Sequence, residues 1–524
     1  MKSSSKPGFP RWIIGLYGFM TSRPITFAAL AWLAISAGLG LKTALKYWPE
    51  RRSSVDSRAT ALNFASISSS SAEFRTQSCF TSNCHGALIS DSRPAEIRRD
   101  EYHVWIDDPH AKASRILLEK ESEAIFQRLG ISTPMPPRNN ASDDAKRHWK
   151  NCQACHDTNT HLTATKSVES VLASDHSYYF AEGVSCESCH GDSKKWLHKH
   201  YGEGWGKKTS AEEKLELNLF SSSDLPNRIA QCATCHVGGG QGDVNHDLIA
   251  AGHPALKFEY TWYLSRLPGH WKPGRTVAAG NRSREWLIGQ LVTAIAALKQ
   301  LENRANACAK LDRLAQQSSW PELSEYNCFA CHHDVSESSW RQQQRGFSGL
   351  DLKLKEKSHL AMPWGNWNLE LIQILADQMK SPESIAFSTA FEKLDMMLQG
   401  MELPSAEATS AQSQIVSEKL QIWLKSCQSK DLDTDRLVRE VVQNQQEKLV
   451  SSWDKTASVL LGISATHRNS TESTEHLKKA MNQLRLPADT DSPRDFRPEQ
   501  VPDAAKGEDW SKLLKRLVEV PTTP

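Results

Sequence analysis

The chain has 524 residues, 39% of them hydrophobic, a length that suits two or three domains. Its 63 Lys and Arg against 61 Asp and Glu leave a net charge of +2, which gives no electrostatic case for nucleic acid as a partner. No Gly-rich loop followed by Lys and Ser or Thr is present to cradle a phosphate.

The run from Pro24 to Leu41 carries no charge and is mostly apolar. It is close to the minimum length for crossing a bilayer. Lys2, Lys6, Arg11 and Arg23 precede it and Lys42, Lys46, Arg51 and Arg52 follow it. A basic leading segment directs the N-terminus to stay cytoplasmic. The expectation over 1–46 is therefore a signal anchor with one transmembrane helix. A cleaved signal peptide is the rival, with small residues at Ala34–Ala37 offered to a peptidase. Either way the rest of the chain is expected outside the cytoplasm, in a bacterial periplasm or on the outer face of the cytoplasmic membrane. A tether over 47–73 follows, including the Ser-rich stretch Ser53–Ser71.

Residues 74–340 hold ten of the chain's twelve cysteines in five motifs. Four read C-x-x-C-H: Cys152, Cys155, His156; Cys186, Cys189, His190; Cys232, Cys235, His236; Cys328, Cys331, His332. The first, Cys79, Cys84, His85, has four residues between its cysteines. In each, two thiols can add across the vinyl groups of one haem while the next His ligates the iron. Chance would place about 0.01 matches to C-x-x-C-H in such a chain, so four exclude coincidence. A disulfide framework does not put His after every pair, and a zinc knuckle does not require His at that offset. Five covalently bound haem c groups, each with iron, are the expected cofactors. Trp is frequent, which fits packing against porphyrin and equally fits an ordinary aromatic core.

Fourteen further histidines could supply the opposite axial ligands. Asp108 is a good N-cap and Pro109 a good first helical residue, so His110 falls in a first turn whose apolar side includes Ala113, Ile116 and Leu117. His161 follows the second motif closely. His198 and His200 follow the third. His246 and His253 follow the fourth, seven residues apart and on one face if a helix runs to Gly252 and Pro254. These six are the distal candidates. His103, His148 and His270 are read as packing or surface residues.

The stretch Trp286–Leu298 is too short and too periodic for a second membrane span. Beyond Trp340 the motifs stop and a helical region is expected over 341–486, with helices at Leu369–Met379, Ser384–Met397, Ala411–Cys427, Asp435–Leu461 and Ser473–Leu484. Cys308 and Cys427 fall in apolar helical stripes and are read as small buried residues. Residues 487–524 form a Pro-rich linker and a short terminal helix around Trp510, Leu513, Leu514 and Leu517. The fold class expected is mainly α: short helices and loops wrapped around haems, a C-terminal helical domain and an N-terminal membrane helix.

The run W-I-D-D-P-H-A, then C-Q-A-C-H, then G-V-S-C-E-S-C-H-G resembles the cytochrome c-554 family, from Cys79 to roughly His332. The resemblance implies closely packed haems, mostly with two His ligands, passing electrons in the periplasm, and His110 as a ligand. The family prototype carries four haems, its first site lacks the longer spacing, and it has no counterpart of the C-terminal helices. The expected function is electron transfer between a redox protein or quinol-linked donor and an acceptor, with no catalytic residue assigned. The alternative is a multihaem oxidoreductase acting on a small nitrogen or sulfur species at an iron with an open face. The C-x-x-C-K site that marks pentahaem nitrite reductases is missing.

Overall fold

A computed structural model describes residues 79–80, 84–87, 100–131, 141–158, 183–202, 204–205, 216–217, 219–220, 222, 224–240, 242–268, 282–311, 320–326, 364–365, 367–399, 404–449 and 453–466. The expected membrane segment, tether, fifth motif and Pro-rich tail lie outside them, as do the expected boundaries at 46/47, 73/74, 340/341 and 486/487. The chain divides into two units. One is Met1–Ser53 with Asn306–Trp320; the other is Ser54–Ala305 with Pro321–Pro524. Everything below concerns the second unit unless stated.

The described residues are mainly helical, with no strand; one isolated bridge joins Tyr326 to Trp364. In chain order come α1 (Glu101–Asp107), α2 (Lys120–Arg128), α3 (Asp143–His156), α4 (Cys186–His190), α5 (Leu225–His236), α6 (His246–Ala250) and α7 (Tyr260–Arg266). These are short, and 3-10 turns lie between some of them, at Pro109–Lys112, Arg115–Leu118 and Ser193–Lys195. Their starts follow local chemistry: the side chains of Ser142 and Asp224 cap α3 and α5 by accepting the backbone N–H of Ala145 and Asn227. Leu117, Phe126, Ile131, Ala145 and Trp149 form a small core against which Cys152 of the second motif packs.

The 28-residue α8 (Arg282–Ala309) departs from the expectation of short helices alone. From Glu285 to Leu298 every residue is buried, so this helix is covered on all sides rather than along one stripe. Its last turn belongs to the other unit, where Cys308 is buried. No described helix is long and apolar enough to cross a membrane.

The later helices are α9 (Glu370–Met379), α10 (Pro382–Leu398), α11 (Ala406–Ser429), α12 (Thr434–Asn444), α13 (Gln446–Leu449) and α14 (Trp453–Thr466). Three agree closely with the expected spans. The single helix expected over Asp435–Leu461 is instead three: the chain bends at Gln445, and a further helix starts at Trp453. Packing of α10 on α11 centres on Phe387, with ring centroids 5.4 Å from Phe391 and 5.6 Å from Trp423. Cys427 is a buried thiol on α11. These helices pack on the motif region: buried Lys257 pairs with Asp454 of α14 at 2.5 Å, and Trp367 donates to the Phe258 carbonyl at 2.9 Å.

Candidate functional site

Three described motifs close helices. Cys152, Cys155 and His156 end α3; Cys186, Cys189 and His190 make up most of α4; Cys232, Cys235 and His236 end α5. At 3.6 residues per turn, the first Cys and the His of each motif lie about 40° apart around the axis, with the second Cys about 60° to the other side. One face therefore presents both thiols and the imidazole. In the first motif, the His85 N–H donates to the Cys79 carbonyl at 3.0 Å, which draws the ends of the longer spacing together. Cys235 beside Cys155 and Cys79 beside Cys186, together with burial, push the Cys155 and Cys186 thiols well up, so these motifs lie against one another in pairs.

Three motif histidines each face a second histidine. Ring centroids are 6.2 Å apart for His85 and His200, 5.9 Å for His236 and His110, and 6.5 Å for His156 and His253. A first-row metal ion bonded to two imidazoles, about 2 Å from each nitrogen, sets their centroids roughly 6 Å apart. The pairs thus have the spacing of two axial ligands on one iron.

Hydrogen bonds at Nδ1 orient five of these six rings. His85 bonds Glu101 Oε2 at 3.0 Å, His110 bonds Asp108 Oδ1 at 2.9 Å, and His156 bonds the Ala113 carbonyl at 3.0 Å. His200 bonds the Leu197 carbonyl at 2.5 Å and His253 the Pro254 carbonyl at 2.8 Å. Metal-ligating histidines are held in this way, with Nε2 as the nitrogen that meets the metal. His236 stacks on Phe258 at 5.0 Å and meets Tyr263 at 5.1 Å. Burial, helped by the neighbouring His110 and His156, pushes its pKa down to about 3 and keeps the imidazole in its neutral, ligating form. Burial opposes protonation of His110, but the Asp108 carboxylate outweighs it and raises the pKa. Among the described residues, no group of three or more His, Cys, Asp or Glu is arranged to hold a metal ion.

His110 is positioned by contacts between distant segments. It sits in a 3-10 turn, Pro109–Lys112, followed by a second, Arg115–Leu118, where one α-helix was expected. Asp108 accepts from both the backbone N–H and Nδ1 of His110, each at 2.9 Å, and this double bond favours the tight turn. The His110 carbonyl accepts from Val184 N–H at 2.9 Å, and Trp105 Nε1 donates to the Val184 carbonyl at 3.0 Å. Gly183 has φ +59°, and a Cβ there would lie 2.5 Å from the His110 carbonyl oxygen. The two sequence runs W-I-D-D-P-H-A and G-V-S-C therefore meet in space.

Other candidates are placed differently. α6 stops at Ala250, and Gly252 turns the chain at φ +118°, so His246 and His253 do not share a helical face as expected. The His246 N–H donates to Glu322 Oε1 at 2.8 Å. His198 Nδ1 meets the Tyr201 hydroxyl at 3.2 Å, and of His198 and His200 the latter is the one set against a motif histidine. His161 and the set Cys328, Cys331 and His332 lie outside the described residues. His190 ends α4, where its carbonyl accepts from Phe220 N–H at 3.0 Å. His103 Nε2 donates to the Gly86 carbonyl at 3.1 Å, a packing role.

Two features had no signal in the sequence. Glu101 reaches His85 from α1. A buried network also ties the motifs to α8: Arg304 donates to Asp243 Oδ1 at 2.7 Å and Glu325 Oε1 at 2.5 Å, while Asn151 and Asp243 exchange bonds at 2.8 and 2.9 Å.

Residues 78–191 match the family described as cytochrome c554 and c-prime, so this span resembles a c-type cytochrome that holds haem and transfers electrons. The match covers the first three motifs and stops short of the resemblance expected to reach His332. No curated protein and no solved structure matches the chain.

Proposed function

We propose that this chain is an exported, membrane-anchored multihaem c-type cytochrome that passes electrons between a redox protein or quinol-linked donor and an acceptor. The observation that carries the reading is the set of three histidine pairs at 5.9–6.5 Å, each joining one motif His to a partner outside every motif. The paired thiols would hold five haem c groups; His85, His156, His190, His236 and His332 would be proximal ligands, and His110, His200 and His253 distal ones. When bound, such a group supplies one-electron exchange at its iron, with no bond to substrate required.

The chain's own residues do the rest. Glu101 and Asp108 hold the Nδ1 protons of His85 and His110 and make those rings stronger donors to a metal. Phe258 and Tyr263 keep water from His236. Cys155 lies beside Cys235 and Cys79 beside Cys186, so the groups these motifs would hold would be close enough for electrons to pass between them.

The mature protein should carry five covalent haems by mass. Replacing His110, His200 or His253 with Ala should each turn one haem from low-spin to high-spin in paramagnetic resonance. Unchanged spectra in all three variants would remove these pairs from the ligand set. A substantial high-spin signal in the wild type, with nitrite or hydroxylamine turnover, would favour an oxidoreductase instead.

A further inference from the structure

We infer that Arg128 is a positioning residue for His253, and that α2 braces both members of the His156–His253 pair. The inference rests on the electron-transfer reading above, in which this pair would serve one iron.

The turn after α6 delivers His253. Gly252 takes φ +118°; its N–H donates to the Ile249 carbonyl at 2.9 Å, and the His253 N–H donates to the Leu248 carbonyl at 3.0 Å. These are the two back-bonds of a helix that ends on glycine, and they fix the residue after the glycine. Neither uses the carbonyl of Ala251, one of those a helix end leaves without an internal donor. Arg128 supplies the donor from α2, with Nη1 bonding the Ala251 carbonyl at 2.7 Å across 123 residues of chain. A Cβ on Gly252 would lie 2.7 Å from the same nitrogen and 3.6 Å from Ile125 Cγ1, so α2 lies directly against this turn.

The same short helix is fixed to the element that carries the motif histidine. Phe126 packs on Trp149 of α3, with ring centroids 6.4 Å apart, in the core that Leu117, Ile131 and Ala145 complete. Trp149 lies about two turns before His156, which ends α3. One face of α2 thus holds the helix that ends in His156, and Ile125 and Arg128 hold the turn that ends in His253. The Nδ1 bonds to the Ala113 and Pro254 carbonyls orient each ring, but neither links the two segments. The 6.5 Å between the rings is set by how α3 and the turn are held, and α2 holds both. Arg128 is an exposed residue, so losing its guanidinium opens no cavity and removes chiefly this charge-assisted bond.

The test uses the full chain matured with its haems, reduced with dithionite and mixed with carbon monoxide by stopped flow. At an iron held between two histidines, carbon monoxide enters only after the distal His leaves, so the rate at saturating gas reads the hold on that His. Arg128→Met keeps the apolar stem and drops the donor; it should raise that rate roughly tenfold in one kinetic phase. Arg128→Gln should change it in the same direction and serves if Arg128→Met does not mature. Ser381→Ala removes the cap of α10, where Ser381 accepts the Ser384 N–H at 3.1 Å, and should leave every phase at the wild-type rate. In a His253→Ala background, Arg128→Met should add no further change. A wild-type rate in Arg128→Met, an equal gain in Ser381→Ala, or a gain that persists in the His253→Ala background would overturn the inference. The underlying reading of the pair fails separately, if His253→Ala alone leaves every haem low-spin by paramagnetic resonance.

Discussion

Gly183→Ala tests how the fold holds His110. Gly183 is left-handed, at φ +59°, and its carbonyl accepts from Thr158 N–H at 3.1 Å. An alanine pays about 1 kcal/mol in that backbone region. Its Cβ would also sit 2.5 Å from the His110 carbonyl oxygen and 2.9 Å from that of Ala111. Both are backbone atoms, so the 3-10 turn itself must shift, weakening the Val184-to-His110 bond by about 1 kcal/mol more. The total destabilisation should be about 2–3 kcal/mol by chemical denaturation. Displacing the turn moves the His110 ring away from His236, so one haem should also gain high-spin character. Gly130→Ala is the control: φ is +76° and nothing lies within 4 Å of a Cβ there. It should show the backbone cost of about 1 kcal/mol alone and an unchanged spectrum. Equal losses in the two variants, or wild-type spin state in Gly183→Ala, would refute the reasoning.

Arg304→Met should destabilise by about 3–5 kcal/mol, because it leaves the buried carboxylates of Asp243 and Glu325 without their cation; a denaturation midpoint equal to wild type would show the network is not needed. Glu259 is fully buried and its pKa is pushed by burial from 4.5 to about 7, against three hydrogen bonds from Thr261 and Trp262 that favour the charge. Below pH 4.5 both states hold the proton and this residue adds no pH dependence. As pH rises toward 7 the unfolded chain ionises first, so stability should fall by about 3 kcal/mol in all, the loss being complete above 7. Glu259→Gln should flatten that part of the curve; a wild-type-minus-variant difference independent of pH between 4 and 8 would sink the assignment.

Much of the helical architecture is legible along the chain. Apolar spacing marks α9, α10 and α11 closely, although α10 starts at Pro382, capped by Ser381, two residues before the expected Ser384. Elements whose form depends on remote partners are less legible. Trp286–Leu298 reads as a periodic stripe, yet the neighbouring elements bury all its faces. His246 and His253 share a face only on an unbroken helix, and Gly252 turns the chain after α6. Glu101 and Arg304 are ordinary charged residues until folding brings His85 and Asp243 to them.

The sequence by itself determined the motif chemistry. In the proposed sites two thiols and an imidazole would serve a single group, so the residues that would hold it lie within a few positions and can be read directly. The partner of each motif histidine was decided by tertiary structure alone. His85 and His200, His110 and His236, and His156 and His253 lie some 100 residues apart in the chain and about 6 Å apart in space. In the proposed sites the second His would have to approach from the side facing away from the motif, which a residue adjacent in sequence cannot reach. The chain must travel around the site and return, and only packing contacts such as Gly183 against His110 determine where it does so.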